Sequence, residues 1–262
     1  MCSVQFSMEI VRLKFTGLLL AVLLTGFSCS HSQTSVRNHT TVVERINDLM
    51  TSYYVFPDIA RETAAHLNAC LDAGLFDQIS STEELADRLT AEVQSVNHDK
   101  HMRVFPKDRS RNNAYHRPAN GGFANAEILD TSIGYIDMRA FVDIRYGVPA
   151  ADSIMQMVAN TDALIIDLRK NGGGSPEMVQ YLCSYFFTER THLNSLYWRQ
   201  GNRTQEFWTL ENVNGEKRPE IPLYILTSSY TFSGAEEFCY NMQTRERAML
   251  IGETTGGGAN PG

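Results

Sequence analysis

Four short apolar runs, separated by segments of helical period, constrain this chain more than any other feature. The runs are Ile133-Gly-Tyr-Ile-Asp-Met, Ala163-Leu-Ile-Ile-Asp-Leu, Pro222-Leu-Tyr-Ile-Leu-Thr and Ala248-Met-Leu-Ile-Gly. The second is continuously apolar, as strands buried on both faces are. Helical patterns fall between the runs, at about 148–159, 176–187 and 233–244. Strands alternating with helices predict a layered α/β core. Residues 193–198 and 204–210 add a hairpin of more exposed strands. With 262 residues, 43% of them hydrophobic, the chain can bury a full core and needs no disulfide staples. Its net charge of −7 comes without a basic stripe, which argues against nucleic acid and anionic membrane surfaces as partners.

The N-terminus has a different character. Residues 15–27 are apolar but too few to cross a bilayer as a helix. Arg12 and Lys14 precede them, and Ser28, Cys29 and Ser30 follow. A basic start, an apolar middle and a small-residue end predict a secretory signal peptide over 1–29, to be excluded from fold reasoning. Cys29 directly after the apolar run offers a second reading, a lipoprotein signal with a lipidated Cys29. Ordinary cleavage near Ser28 or Ser30 is the alternative. Cys70, Cys183 and Cys239 remain. They suggest no disulfide framework, although one pair can bridge in an oxidising compartment, and no cysteine has metal-site spacing.

Residues 38–104 read as a helical segment. Val42, Val43, Ile46, Leu49, Met50 and Tyr53 keep helical spacing behind a capping box of Thr41 and Glu44. A second helix is expected from about Pro57 to Leu71. A third follows a Ser81/Glu84 capping box, with Leu85, Leu89, Val93 and Val96 on one face. Residues 105–125, polar and rich in Arg, Asn, Gly and Pro, read as a linker or loop. The α/β core then occupies 126–262.

Two loops carry the candidate chemistry. Asp167-Leu-Arg-Lys-Asn-Gly-Gly-Gly-Ser-Pro joins a strand to a helix, and Gly172, Gly173 and Gly174 let backbone N–H groups approach a ligand. A plain tight turn is the simpler reading. A phosphate loop is disfavoured because the Gly-Lys-Ser/Thr ending is absent. The second loop, Thr227-Ser-Ser-Tyr-Thr-Phe-Ser233-Gly-Ala-Glu-Glu-Phe, puts Ser233 at a helix start. A Ser there is most often an N-cap, contributing about 1 kcal/mol. The same position also sets a hydroxyl at the positive end of the helix dipole. A serine nucleophile needs a base, and His101 in Asn97-His-Asp-Lys-His101-Met-Arg-Val is the candidate. That stretch also reads as solvated loop histidines, or as a weak metal site lacking Glu or Cys support.

Taken together, these stretches resemble the serine peptidase family of C-terminal processing (tail-specific) proteases, the tricorn protease core and interphotoreceptor retinoid-binding protein. The matching segments are Tyr54-Val-Phe-Pro-Asp, Val96-Asn-His-Asp-Lys-His-Met-Arg-Val, Ile133-Gly-Tyr-Ile, Asp167-Leu-Arg-Lys-Asn-Gly-Gly-Gly, Thr231-Phe-Ser-Gly-Ala-Glu-Glu and Ile251-Gly-Glu-Thr-Thr-Gly-Gly-Gly-Ala. They follow the family's order from about residue 42 to the end. The resemblance implies an α/β fold with a ClpP/crotonase-like spiral core behind a small helical segment. The span between His101 and Ile133 leaves no room for the PDZ domain of many members.

The resemblance also implies roles. Ser233 corresponds to the nucleophile, and Gly234 with Gly172, Gly173 and Gly174 to the oxyanion hole. Tail-specific members use a downstream Lys as base, but that position here is Gly258. Tricorn-like members use an N-terminal His, matched by His101, so the chain is closest to the tricorn and retinoid-binding branch. Lys100 stands where the tricorn core has a Ser. The family continues past the equivalent of Gly262 with a Glu that orients the His, so a C-terminally truncated chain is expected. The function implied is an exported serine endopeptidase acting on peptides or unfolded protein segments, without metal or cofactor. The alternative is a non-catalytic carrier of a small apolar ligand, as in the retinoid-binding members. A crotonase-like acyl-CoA enzyme fits an exported chain poorly.

Overall fold

The computed structural model describes residues 29–106, 119–130 and 132–258. The signal-peptide reading lies outside the described residues, and so does the Cys29 side chain. Among the described residues, no helix is long and apolar enough to cross a membrane.

Three helices come first: α1 (Cys29–Tyr53), α2 (Pro57–Asp72) and α3 (Thr82–Asn97). The capping box expected at Thr41 is not a helix start, because α1 begins twelve residues earlier and runs through it. No Pro or Gly interrupts 29–40, so nothing in the backbone stops the helix there. The other boundaries follow their local signals. Pro57 opens α2 at a position where its missing N–H costs nothing. The Ser81 hydroxyl accepts from Glu84 N–H at 3.0 Å, which caps α3. Val43, Leu67, Phe76, Ile79, Leu89 and Val93 form the core of this helical unit.

The second unit is built on a five-stranded sheet in the order β1-β2-β3-β6-β7. Its strands are β1 (Phe123–Leu129), β2 (Ile133–Met138), β3 (Ala163–Asp167), β6 (Leu223–Thr227) and β7 (Met249–Gly252). β1 pairs antiparallel with β2, and the other neighbours are parallel. The connecting helices are α4 (Ile144–Met157), α5 (Pro176–Ser184) and α6 (Gly234–Thr244). β4 (His192–Trp198) and β5 (Arg203–Trp208) form the expected hairpin as a separate antiparallel pair.

β1 begins inside the stretch read as linker. Its Phe-Ala-Asn-Ala-Glu-Ile-Leu sequence lacks the clean alternation that marks a half-buried strand, because it lies at the sheet edge. The strands also differ from the doubly buried expectation. Ile136, Met138, Leu164, Ile166, Leu223 and Ile225 are fully buried, beneath core residues of α4, α5 and α6. The opposite face, including Tyr135, Ile165 and Tyr224, is only half-covered.

The units are tied together by backbone acceptors. Arg199, at the end of β4, donates to Thr51 O at 3.0 Å and Tyr54 O at 2.9 Å, closing off the C-terminus of α1. The three cysteines Cys70, Cys183 and Cys239 are free. Burial pushes the Cys239 thiol up to about 12 and holds the Cys183 thiol well above its ordinary value, so neither is a reactive thiolate.

One core helix carries a pH-dependent cost. Burial pushes the Glu237 carboxyl on α6 up from its ordinary 4.5 to about 7, with the Asn241 side chain offsetting this in part. Between those values the folded chain keeps a proton that the unfolded chain has lost. Stability therefore falls as pH rises across that window and levels off above it. Glu237→Gln should flatten this slope, with its gain in Tm over wild type largest above pH 7 and smallest near pH 4. Parallel Tm–pH curves for the two proteins would contradict it.

Candidate active site

Ser233 sits between β6 and α6 in a conformation that L-residues avoid, with φ 56° and ψ −125°. Such a backbone costs about 1–3 kcal/mol and persists only where its surroundings over-determine it. They do so here. Ser233 N–H donates to Gly257 O at 3.2 Å, and Glu237 N–H donates to Ser233 O at 2.9 Å. Phe232 N–H donates to Asn171 O at 3.2 Å, and Gly256 N–H to Thr231 O at 2.8 Å. The fully buried Thr231 donates its hydroxyl to Leu168 O at 2.9 Å. Ser233 makes no side-chain capping bond to α6. The structure thus separates the two readings of a Ser at a helix start: this hydroxyl is not spent on the helix.

The glycine loop lies directly against it. A Cβ on Gly173 would sit 2.7 Å from Gly234 N and 2.8 Å from Ser233 Cβ, so only a glycine leaves that space open. The loop is organised by Asn171, which is fully buried. Its side-chain amide donates to Met138 O at 3.1 Å, and its Oδ1 accepts from Gly173 N–H at 2.9 Å. The three glycines therefore play different parts. Gly173 N–H is committed to Asn171, whereas Gly172, Gly174 and Gly234 N–H have no hydrogen-bond partner among the described residues. Gly174 is exposed, and its N lies 3.2 Å from where a Gly234 Cβ would be. Asp167 anchors the loop's first residues. Burial would raise its carboxyl, but bonds from the Arg169 side chain and backbone and from Tyr135 pull it down to about 2.

His101 comes from the other unit. α3 ends at Asn97, and His98 closes it in the left-handed conformation. Asp99 then turns the chain, its Oδ1 accepting from His101 N–H at 2.9 Å and lying 3.1 Å from His101 Nδ1. Gln94 donates to Met102 O at 3.0 Å, and Val104 N–H donates to the Thr90 hydroxyl at 2.9 Å, pinning the segment to α3. The imidazole packs on Phe232, with ring centroids 4.5 Å apart. A Cβ on Gly258 would lie 2.9 Å from Ser233 N and 3.1 Å from His101 Cε1, so both residues border Gly258. His101 Nε2 is buried and has no hydrogen-bond partner among the described residues. With Asp99 on Nδ1, the tautomer that donates from Nδ1 leaves Nε2 a free acceptor. Lys100 points elsewhere and donates to Gly256 O at 2.7 Å, tying the His segment to the loop that holds Ser233.

Asp99 is the residue that the motif reading passed over. It is buried, and Tyr54 donates to its Oδ2 at 3.3 Å. Burial would raise the Asp99 carboxyl, but the bonds from His101 and Tyr54 hold it below its ordinary value, ionised near neutrality. Burial and the Asp99 charge push the Tyr54 phenol up to about 12. The available signal was the Asp-Lys-His spacing, since an Asp two residues before a residue readily accepts its N–H in an Asx turn.

Known proteins share this arrangement of units. Residues 132–260 match Peptidase family S41, and residues 34–132 match the N-terminal domain of Peptidase_S41 in eukaryotic IRBP. The chain belongs to peptidase family S41. A carboxyl-terminal-processing protease of Synechocystis sp. is 33% identical over 127 residues, which is 48% of this chain and 28% of that protein. The chain thus spans under a third of that relative's length. A putative peptidase from Parabacteroides merdae has the same fold, with a TM-score of 0.56 and 22% identity over 86% of this chain and 77% of that one. The tricorn protease gives a TM-score of 0.52 and 14% identity, over 85% of this chain and 30% of that one.

Asn171→Ala would strand Gly173 N–H and Met138 C=O in the core. It should lower unfolding free energy by about 2–4 kcal/mol, measured by urea denaturation. A loss under about 0.5 kcal/mol, the scale of an ordinary surface substitution, would contradict the pinning role.

Proposed function

We propose that this protein is a serine endopeptidase with Ser233 as nucleophile, His101 as general base and Asp99 as the residue that orients the base. The observation that carries the reading is that a strained Ser233, its hydroxyl making no cap bond, and a buried His101, its Nε2 without a partner among the described residues, both border Gly258. Ser233 Oγ attacks the peptide carbonyl carbon while its proton passes to His101 Nε2. The carbonyl oxygen becomes an oxyanion facing Gly234 N–H and Gly174 N–H, with Gly172 N–H as a further donor. His101 returns the proton to the leaving amine, and water then hydrolyses the acyl-enzyme by the same route. No step needs a metal or cofactor. Apo hydrogen bonds between nucleophile and base are often long and tighten when substrate binds.

The substrates are peptides or unfolded protein segments, because an extended chain can lie along the loops at the strand ends. The leader pattern over 1–29 supports export to the periplasm or cell envelope, with Cys29 as a lipid-anchor site. The carrier reading draws on one observation. A cavity of about 680 Å³ lies between the helical unit and β4, lined by Met50, Tyr54, Val93, Met102, Leu196 and Trp198. Asp99 also lines it, so the same space abuts the proposed site.

A fluorophosphonate probe should label Ser233, located by mass spectrometry. His101→Ala should abolish labelling, and Asp99→Asn should slow it by about 10²–10⁴-fold through the wrong imidazole tautomer. A folded protein that stays unlabelled would overturn the peptidase reading and favour the carrier. Gly173→Ala should lose turnover, since its methyl would press on Ser233 Cβ and Gly234 N and fill the oxyanion space. Full turnover in that variant would refute the assigned hole.

A further inference from the structure

The helical unit holds a cluster that the proposed catalysis does not use. His66 and Cys70 sit one turn apart on α2, and Glu92 faces them from α3. His66 Nε2 lies 2.8 Å from Glu92 Oε2, Cys70 Sγ 3.5 Å from His66 Nε2, and Cys70 Sγ 3.7 Å from Glu92 Oε2. These three ligand atoms lie within 4.8 Å of one another, the one such group among the described residues. We propose that His66, Cys70 and Glu92 form a binding site for a zinc-class divalent ion, bridging α2 and α3.

The geometry and the donor set both suit such an ion. Tetrahedral zinc, with Zn–S about 2.3 Å and Zn–N or Zn–O about 2.0–2.1 Å, spaces its ligand atoms roughly 3.3–3.6 Å apart. The two edges from Cys70 already match within a few tenths of an ångström. The His66–Glu92 edge must open by about half an ångström as the ion replaces their hydrogen bond. One thiolate, one imidazole and one carboxylate select zinc over calcium or magnesium, which take oxygen ligands.

Supporting groups are in place. Arg88 donates to the other Glu92 oxygen at 2.9 Å, fixing the carboxylate. Ser95 Oγ lies 3.5 Å from His66 Nε2, at the margin of the cluster. The Glu92 side chain is only 15% exposed, whereas His66 is 36% exposed and gives the ion an entry path. Cys70 borders the core of the unit, but its sulfur faces this polar pair. Burial and the Glu92 charge raise the thiol above its ordinary value. To bind the ion as a thiolate, Cys70 must give up its proton.

The test uses the full chain, reduced and without a polyhistidine tag. Titration with Co²⁺ should give one ion per chain and a thiolate-to-cobalt charge-transfer band. Cys70→Ser should lose the band, and Glu92→Gln should weaken binding by at least about tenfold. On the wild type alone, calorimetry with Zn²⁺ in two buffers of different ionisation enthalpy should report about one proton released per ion at pH 7. Zn²⁺ should also raise Tm. Absence of the band at excess Co²⁺, its survival in Cys70→Ser, or zinc binding without proton release would overturn the site.

Discussion

The backbone of Ser233 is the constraint on which the rest of the site depends. A non-glycine residue at φ 56° is held there by partners from three separate segments: Asn171 through Phe232, Gly257, and the first turn of α6. Each segment is anchored to the sheet or its loops. Asn171 reaches back to Met138 at the end of β2, and Thr231 to Leu168 just after β3. The backbone of one residue is thereby tied to the ends of the central strands. The close approach of Gly173 and Gly258 then follows, because no side chain fits between the loops that clamp the Ser.

The second half of the site comes from a different unit, and this shapes its physics. The Asx turn at Asp99 fixes His101 locally, so the Asp–His geometry does not depend on docking. The approach of His101 to Ser233 does depend on it. It rests on the Lys100 bond to Gly256, the stacking of His101 on Phe232, and Arg199 holding the end of α1.

Much of this was legible in the sequence, for identifiable reasons. The apolar runs at 133–138, 163–168 and 222–227 became strands within a residue or two, because short apolar segments of strand length bounded by turn residues favour strands. The Ser81 and Pro57 helix starts were local and were read correctly. The start of α1 and the edge strand β1 were missed. Thr41 and Glu44 carry the residues of a cap without its context, and edge strands lack a strong burial signature. Ser233, His101 and the glycine loop were found as motifs. Their geometry was not legible, because it comes from contacts between distant segments. The resemblance implied an orienting Glu beyond Gly262, which the described residues do not test; within them, Asp99 Oδ1 lies 3.1 Å from His101 Nδ1. The separate duties of Gly172, Gly173 and Gly174 depend on Asn171, whose side-chain bonds no sequence pattern announced.

The central claim is that Ser233, His101 and the Gly174/Gly234 amides form one catalytic constellation. A structure with a peptidyl boronic acid tests it most directly. The account predicts boron bonded to Ser233 Oγ, one boronate oxygen about 2.7–3.1 Å from both Gly234 N and Gly174 N, and another within hydrogen-bond reach of His101 Nε2. A boronate bound elsewhere, or a Ser233 adduct whose oxygens point into solvent away from these amides, would contradict it.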